Sequence, residues 1–257
     1  MTFPLASFLF VAAALGGALN AVAGGGSFLT LPALIYAGVP PVAANATSAM
    51  ALWPGTMSAA WAYRREAAQV SRWLGRLVIV SLAGGLMGAV LLVRTSDSGF
   101  LRLLPWLMLV ASVTFTFGGR VTQRFRQPGQ GPFGALAGHP TAWALLLQLA
   151  IAIYGGYFGG GMGIMMLAVF AVTGMTDMHA MNGLKLLLSV AINGVALLEF
   201  VAADSVAWTP GLVMVLGAVT GGYVGASLAR QMDGRHVRSF VIGVAWIMTA
   251  YFFVRAA

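Results

Sequence analysis

Apolar residues along this 257-residue chain are gathered into long runs instead of alternating with polar ones. The runs cover roughly 4–37, 42–62, 73–93, 100–119, 141–174, 178–202, 206–229 and 238–254, and the few charges fall mostly between them. Most approach the ~20 residues that a helix needs to cross hydrocarbon. No run alternates with period two, so a β-barrel is not predicted. The pattern predicts an all-α polytopic membrane protein.

The first run is interrupted. Residues 20–32 read NAVAGGGSFLTLP, with three glycines where a spanning helix should continue. A cleaved leader does not explain them: Met1-Thr2-Phe3 is not basic, and the sequence after Ala21-Val22-Ala23 stays apolar. As one straight helix, residues 4–36 would be about 50 Å long, against a hydrocarbon core of ~30 Å. Two short helices joined at the glycines fit better. Gly159, Gly160, Gly161 and Gly163 interrupt the fifth run in the same way.

That similarity belongs to a duplication. GGGSFLTL at 24–31 matches GMGIMMLA at 161–168, an offset of 137 counted from position 24 to position 161. The same offset places Asn45 on Asn182, Ser48 on Lys185 and Thr56 on Asn193. Two related halves are predicted, 1–126 and 138–257, joined by a cytoplasmic linker at 127–137. Arginine indicates how they face. Arg64, Arg65, Arg72 and Arg76 follow the second run, Arg120, Arg124 and Arg126 the fourth, and Arg230, Arg235 and Arg238 the seventh; Glu199 and Asp204 follow the sixth. Eight simple crossings cannot put all three basic clusters in the cytoplasm. They agree if the first and fifth runs each return to their starting side. Each half is then a glycine-broken hairpin plus three crossings, and the odd count makes the repeat inverted, a common plan among secondary transporters.

Composition sharpens the reading only in part. The chain is 60% hydrophobic and 8% charged, with a mean hydropathy of +0.89, outside the soluble range. Net charge +8 is carried by arginines placed to set topology, so no nucleic-acid partner is expected. Without cysteine there is no disulfide and no thiol ligand. No nucleotide loop occurs, and the longest polar stretch is too short for a catalytic domain, so the chain is not expected to be an enzyme. His139, His179 and His236 are dispersed; neither metal nor cofactor is expected. Asp177 is read as a helix cap. Glycine pairs 84–85 and 221–222 are read as places where helices approach closely, and Tyr154, Tyr157 and Trp53 as aromatic packing. Trp106 and Trp208 suit an interfacial belt.

Candidate chemistry lies at the breaks and on one helix. Backbone that leaves helical geometry at membrane depth must face protein or a wet cavity. Helices restarting at Ser27 and Ile164 would aim free N–H groups, and a partial positive charge, at whatever fills the gap. That is an anion site built without arginine. Asn182, Lys185, Ser189 and Asn193 share one helical face, and Lys185 is the only lysine in the protein. An ammonium inside an apolar run should face a cavity or a partner instead of lipid.

GGGSFLTLP with ANATSAMALWPG, and YGGYFGGGMGIMMLA with MNGLKLLLSVAING, resemble the sulfite exporter TauE/SafE family of bacterial membrane permeases. The resemblance covers nearly the whole chain. It implies a multi-pass protein of the bacterial inner membrane that carries a small, usually sulfur-containing anion such as sulfite or an organosulfonate. Carried over, the matching substrate-binding positions are Gly24, Gly25, Gly26 and Ser27; Asn45, Thr47 and Ser48; Gly161, Met162 and Gly163; and Asn182, Lys185 and Asn193. Many relatives have a glycine where this chain has Ala23. A proton or another ion is the candidate coupling partner, and oligomeric state has no signature here. An anion-selective channel and a permease for non-sulfur organic anions are the alternatives.

Overall fold

A computed structural model describes residues 1–62, 71–125, 142–175, 177–229 and 234–256. The linker predicted at 127–137, and the basic clusters at 64–65, 126 and 230, lie outside the described residues. Ten helices are found among the described residues, and no strand: α1 (Phe3–Ala23), α2 (Ser27–Tyr36), α3 (Pro41–Ala62), α4 (Ser71–Arg94), α5 (Asp97–Phe125), α6 (Ala142–Tyr157), α7 (Met162–Val172), α8 (Met178–Ala202), α9 (Trp208–Ala229) and α10 (Gly234–Ala256).

Both long runs break at their glycines. After α1, Gly24 takes φ +78, a left-handed conformation that glycine adopts without steric cost, and α2 starts at Ser27. After α6, Gly159 and Gly161 take φ +83 and +82. Here the helix restarts at Met162 and not at Ile164, because Gly161 turns the chain early enough for Gly163 to sit in the first helical turn. Asp177 caps α8 as expected, its carboxylate accepting from the amides of His179 (2.8 Å) and Ala180 (3.3 Å).

By length and composition, four described helices can cross a membrane, in α1, α4, α5 and α8. The outer face of the bundle is apolar: Ile79, Leu86, Leu146, Leu198, Leu212, Leu216 and Ile247 are all exposed. In water so large an apolar surface would aggregate; against acyl chains it is at home. Trp106 and Trp208 are exposed too, as an interfacial position requires. A set of polar side chains turns inward, among them Thr30, Ser81, Ser112 and Thr249. On α3, Asn45, Thr47, Ser48 and Thr56 are buried, which makes it an interior helix.

Helices from the first and second parts of the chain interlock by exchange. α1 lies along α9 as α6 lies along α4, and α3 contacts α9 as α8 contacts α4. Glycine sets the first pair of contacts. A Cβ on Gly221 would fall onto the Ala14 carbonyl, and one on Gly156 onto the Gly85 carbonyl, so both glycine pairs read as close-approach sites do serve that purpose. Helices with the same place in each half also touch one another, α3 with α8 and α5 with α10. Two hydrogen bonds there join residues 137 apart, the offset of the repeat: Trp53 Nε1 donates to the Val190 carbonyl (3.2 Å), and the Ser112 and Thr249 hydroxyls pair at 2.9 Å.

Candidate functional site

The two breaks face each other in the protein core. A Cβ built on Gly160 would lie 3.1 Å from Ser27 Oγ, so the start of α2 abuts the second break. The Phe115 ring, fully buried on α5, stands against both: its Cζ is 3.3 Å from a Cβ on Gly25, and its Cε2 3.4 Å from one on Gly161. Phe28 packs edge-on against the same ring, with centroids 5.7 Å apart. Gly25, Gly26, Gly161 and Met162 are buried, whereas Ser27 and Gly163 are half-buried.

The amides at these breaks are only partly engaged. In α2, Phe28 and Leu29 donate back to the Gly25 and Gly26 carbonyls; in α7, Ile164 and Met165 donate to the Gly161 carbonyl. Among the described residues, the amides of Gly25, Gly26, Ser27, Gly160, Gly161 and Gly163 form no backbone hydrogen bond. Unengaged N–H groups at a helix start carry the positive end of its dipole.

Lys185 lies beside the second cluster. Its aliphatic stem covers Gly163, with Cδ 3.2 Å from a Cβ built there, and Nζ donates to Asn182 Oδ1 at 3.1 Å. Spacing on α8 thus brings the two polar groups together, as the sequence predicts. Asn193 is two turns further along, half-buried, and Gly194 next to it packs on the Trp53 ring.

Other predicted residues act on the scaffold of the breaks. Asn45 Nδ2 donates to the carbonyl of Tyr157, the last residue of α6 (2.9 Å), and so satisfies a helix-end acceptor in the opposite half. Ser48 and Thr30 pair their hydroxyls at 2.6 Å, which fixes α2 on α3. Thr47 faces a different neighbour, accepting from the Ala207 amide where α9 begins (2.9 Å). Gly24 is exposed and has open space around its Cβ position, so its contribution is the turn alone. Removing the Asn45 amide with Asn45→Ala leaves the Tyr157 carbonyl without its donor. A loss of about 1–3 kcal/mol is expected, read as a lower thermal midpoint in detergent at unchanged membrane insertion.

Sequence reasoning missed two groups. The Tyr154 hydroxyl lies 2.8 Å from the Gly160 carbonyl and 3.1 Å from that of Leu107, tying the second break to α5; packing was its expected role. Gln148, inside the fifth apolar run, is fully buried. Its signal was in plain view, since it is a lone amide in a membrane-length apolar segment, but no polar neighbour at helical spacing marks a face around it.

An all-helical bundle with an apolar outer surface, and two helix breaks meeting inside it, defines a multi-pass membrane transporter. Known proteins agree. The chain is 26% identical to a probable membrane transporter protein of Haemophilus influenzae, over 96% of this chain and 93% of that one. It is 28% identical to the probable membrane transporter protein ORF9 of a Sinorhizobium species (95% and 91%), and 30% identical to the probable membrane transporter protein YfcA of Escherichia coli K12 (96% and 88%). The profile of the sulfite exporter TauE/SafE family matches residues 9–252, and the chain belongs to that family. No solved structure matches it. The relatives are named as transporters and not as enzymes, in line with the sequence reading.

Proposed function

We propose that the protein is a secondary transporter of a small oxyanion, a sulfur-containing one such as sulfite or an organosulfonate, and that it works by alternating access. The observation that carries this reading is the meeting of two helix breaks, with unengaged amides and the only lysine beside them. Amides of Gly25, Gly26 and Ser27 from one side, and of Gly161 and Gly163 from the other, would receive the anion's oxygens, with Met162 between them donating to the Gly159 carbonyl at 3.5 Å. Lys185 balances its charge, and Asn182 orients the ammonium. Asn193 offers a further donor along the same face. Asn45 and Ser48 hold the two breaks in register, and Thr47 anchors the interior helix on which they stand.

The exchange pattern of helix packing supports halves related by a two-fold axis, because equivalent residues of two such bodies can touch only near the axis. With a hairpin and three crossings in each half, that axis runs in the membrane plane and the repeat is inverted. The opposite faces of the bundle are then near-equivalent, so a rearrangement that opens one can be mirrored to open the other.

Counterflow in proteoliposomes tests the reading. Vesicles loaded with unlabelled sulfite should transiently concentrate external labelled sulfite; a channel would only equilibrate the label. Competition by taurine, sulfoacetate and simple carboxylates ranks the sulfur reading against non-sulfur organic anions. Label uptake that neither saturates nor shows counterflow would exclude the transporter mechanism.

A further inference from the structure

Gln148 is the most unusual polar residue that the site above does not use. It lies on α6 with no exposed surface. Its Nε2 donates to Ser81 Oγ on α4 at 2.8 Å and approaches Met166 Sδ on α7 at 3.7 Å. Its Oε1 is buried and has no hydrogen-bond partner. Hydrocarbon supplies no donor, and buried amide oxygens in folded proteins are almost always paired.

Position adds meaning to the orphan atom. Met166 is one helical turn along α7 from Gly163, against which the Lys185 stem is packed. Gln148 therefore stands just past the candidate anion site, where α4, α6 and α7 meet. The first half has nothing comparable. The repeat offset sets Ala218 on α9 in the place of Ser81, and Ala218 packs on Gly17 of α1, which has no side chain to pair. Ala218 is buried and apolar. A polar pair confined to one half, next to the site, is not explained by the packing that the halves share.

We propose that Gln148 and Ser81 line the route between the anion site and one face of the membrane, and that Oε1 meets water in a second conformation in which α7 moves off α6. The inference rests on the transporter reading and assigns its route to the second half. In the conformation described here the route is closed, with Gln148 sealed between the three helices. When it opens, the amide offers Nε2 to a passing oxyanion and Oε1 to the water that accompanies it. An unsatisfied acceptor in the closed state also narrows the energy gap between the two states, as alternating access requires.

The chain contains no cysteine, so Gln148→Cys creates a single reporter thiol. A charged, membrane-impermeant methanethiosulfonate is applied to right-side-out and to inverted vesicles, with Leu9→Cys, fully buried on α1, as the apolar control. We expect the Q148C thiol to react from one side at least ten times faster than the L9C thiol. Reaction no faster than L9C from either side would overturn the proposal. Gln148→Leu gives a second reading: transport should fall at least ten-fold with insertion intact and thermal stability equal or higher, whereas full transport would also overturn it. Labelling is independent of the solute carried. A reactive Q148C thiol in a protein that moves no tested anion would support the wet route and leave the anion reading to fail alone. A silent thiol beside a Lys185-dependent transport activity would refute the route and leave the anion site standing.

Discussion

Replacing Lys185 by methionine is expected to reduce anion transport by about 10- to 100-fold at equal insertion, the loss of one hydrogen bond to a charged group of ~1.5–3 kcal/mol. Length and stem volume are nearly kept, so the packing on Gly163 survives and only the ammonium and its bond to Asn182 are lost. The same substitution should not destabilise the fold, since an ammonium at the centre of a membrane helix costs ~2.5–3.5 kcal/mol on the translocon scale. A rise in thermal midpoint together with a collapse of transport would mark a group kept for function at the expense of stability. Lys185→Arg should retain part of the activity, because the charge remains while its shape at Asn182 changes. If Lys185→Met carried sulfite with wild-type rate and affinity, the charge-balancing role would be wrong.

The other large effect is structural. Gly221→Ala is expected to prevent assembly of a stable bundle: its Cβ would overlap the Ala14 carbonyl on α1, and backbone cannot swing aside as a side chain can. Separating α1 from α9 to make room would open the contact on which the first hairpin rests. Gly243→Ala on α10 is the control, because nothing lies within 4 Å of a Cβ there. It should be neutral or gain up to ~1 kcal/mol from better helix propensity. Fluorescence-detected size exclusion and thermal midpoints in one detergent compare the two. A monodisperse Gly221→Ala protein with an unchanged midpoint would contradict the packing described.

How much of this was written in the residues depended on the range of the interaction. The breaks at Gly24 and Gly161 were legible because lengths that do not match a bilayer, and three glycines in a row, are local features. Lys185 with Asn182 was legible because helical periodicity puts residues three apart on one face. The start of α7 was misplaced by two residues, since only the fold decides which glycine in a cluster takes the left-handed turn. Asn45 could be recognised as polar and interior, but its partner is the Tyr157 carbonyl, and no local pattern points to an atom in the other half. Tyr154 was assigned to packing because its ring does pack; the hydroxyl's reach to Gly160 depends on how the break folds back on α6. For Gln148, intramembrane polarity was sufficient warning, but a single residue has no period.

The contacts between equivalent positions, Ser112 with Thr249 and Trp53 with Val190, lie where one half copied and paired with itself would meet its own image. That is the geometry of an isologous dimer. An ancestral protein half this length could have used the same surfaces, each patch being its own partner. Within the proposed two-fold relation the faces are free to diverge, and buried Ser81 stands at the place that the repeat offset gives to buried Ala218.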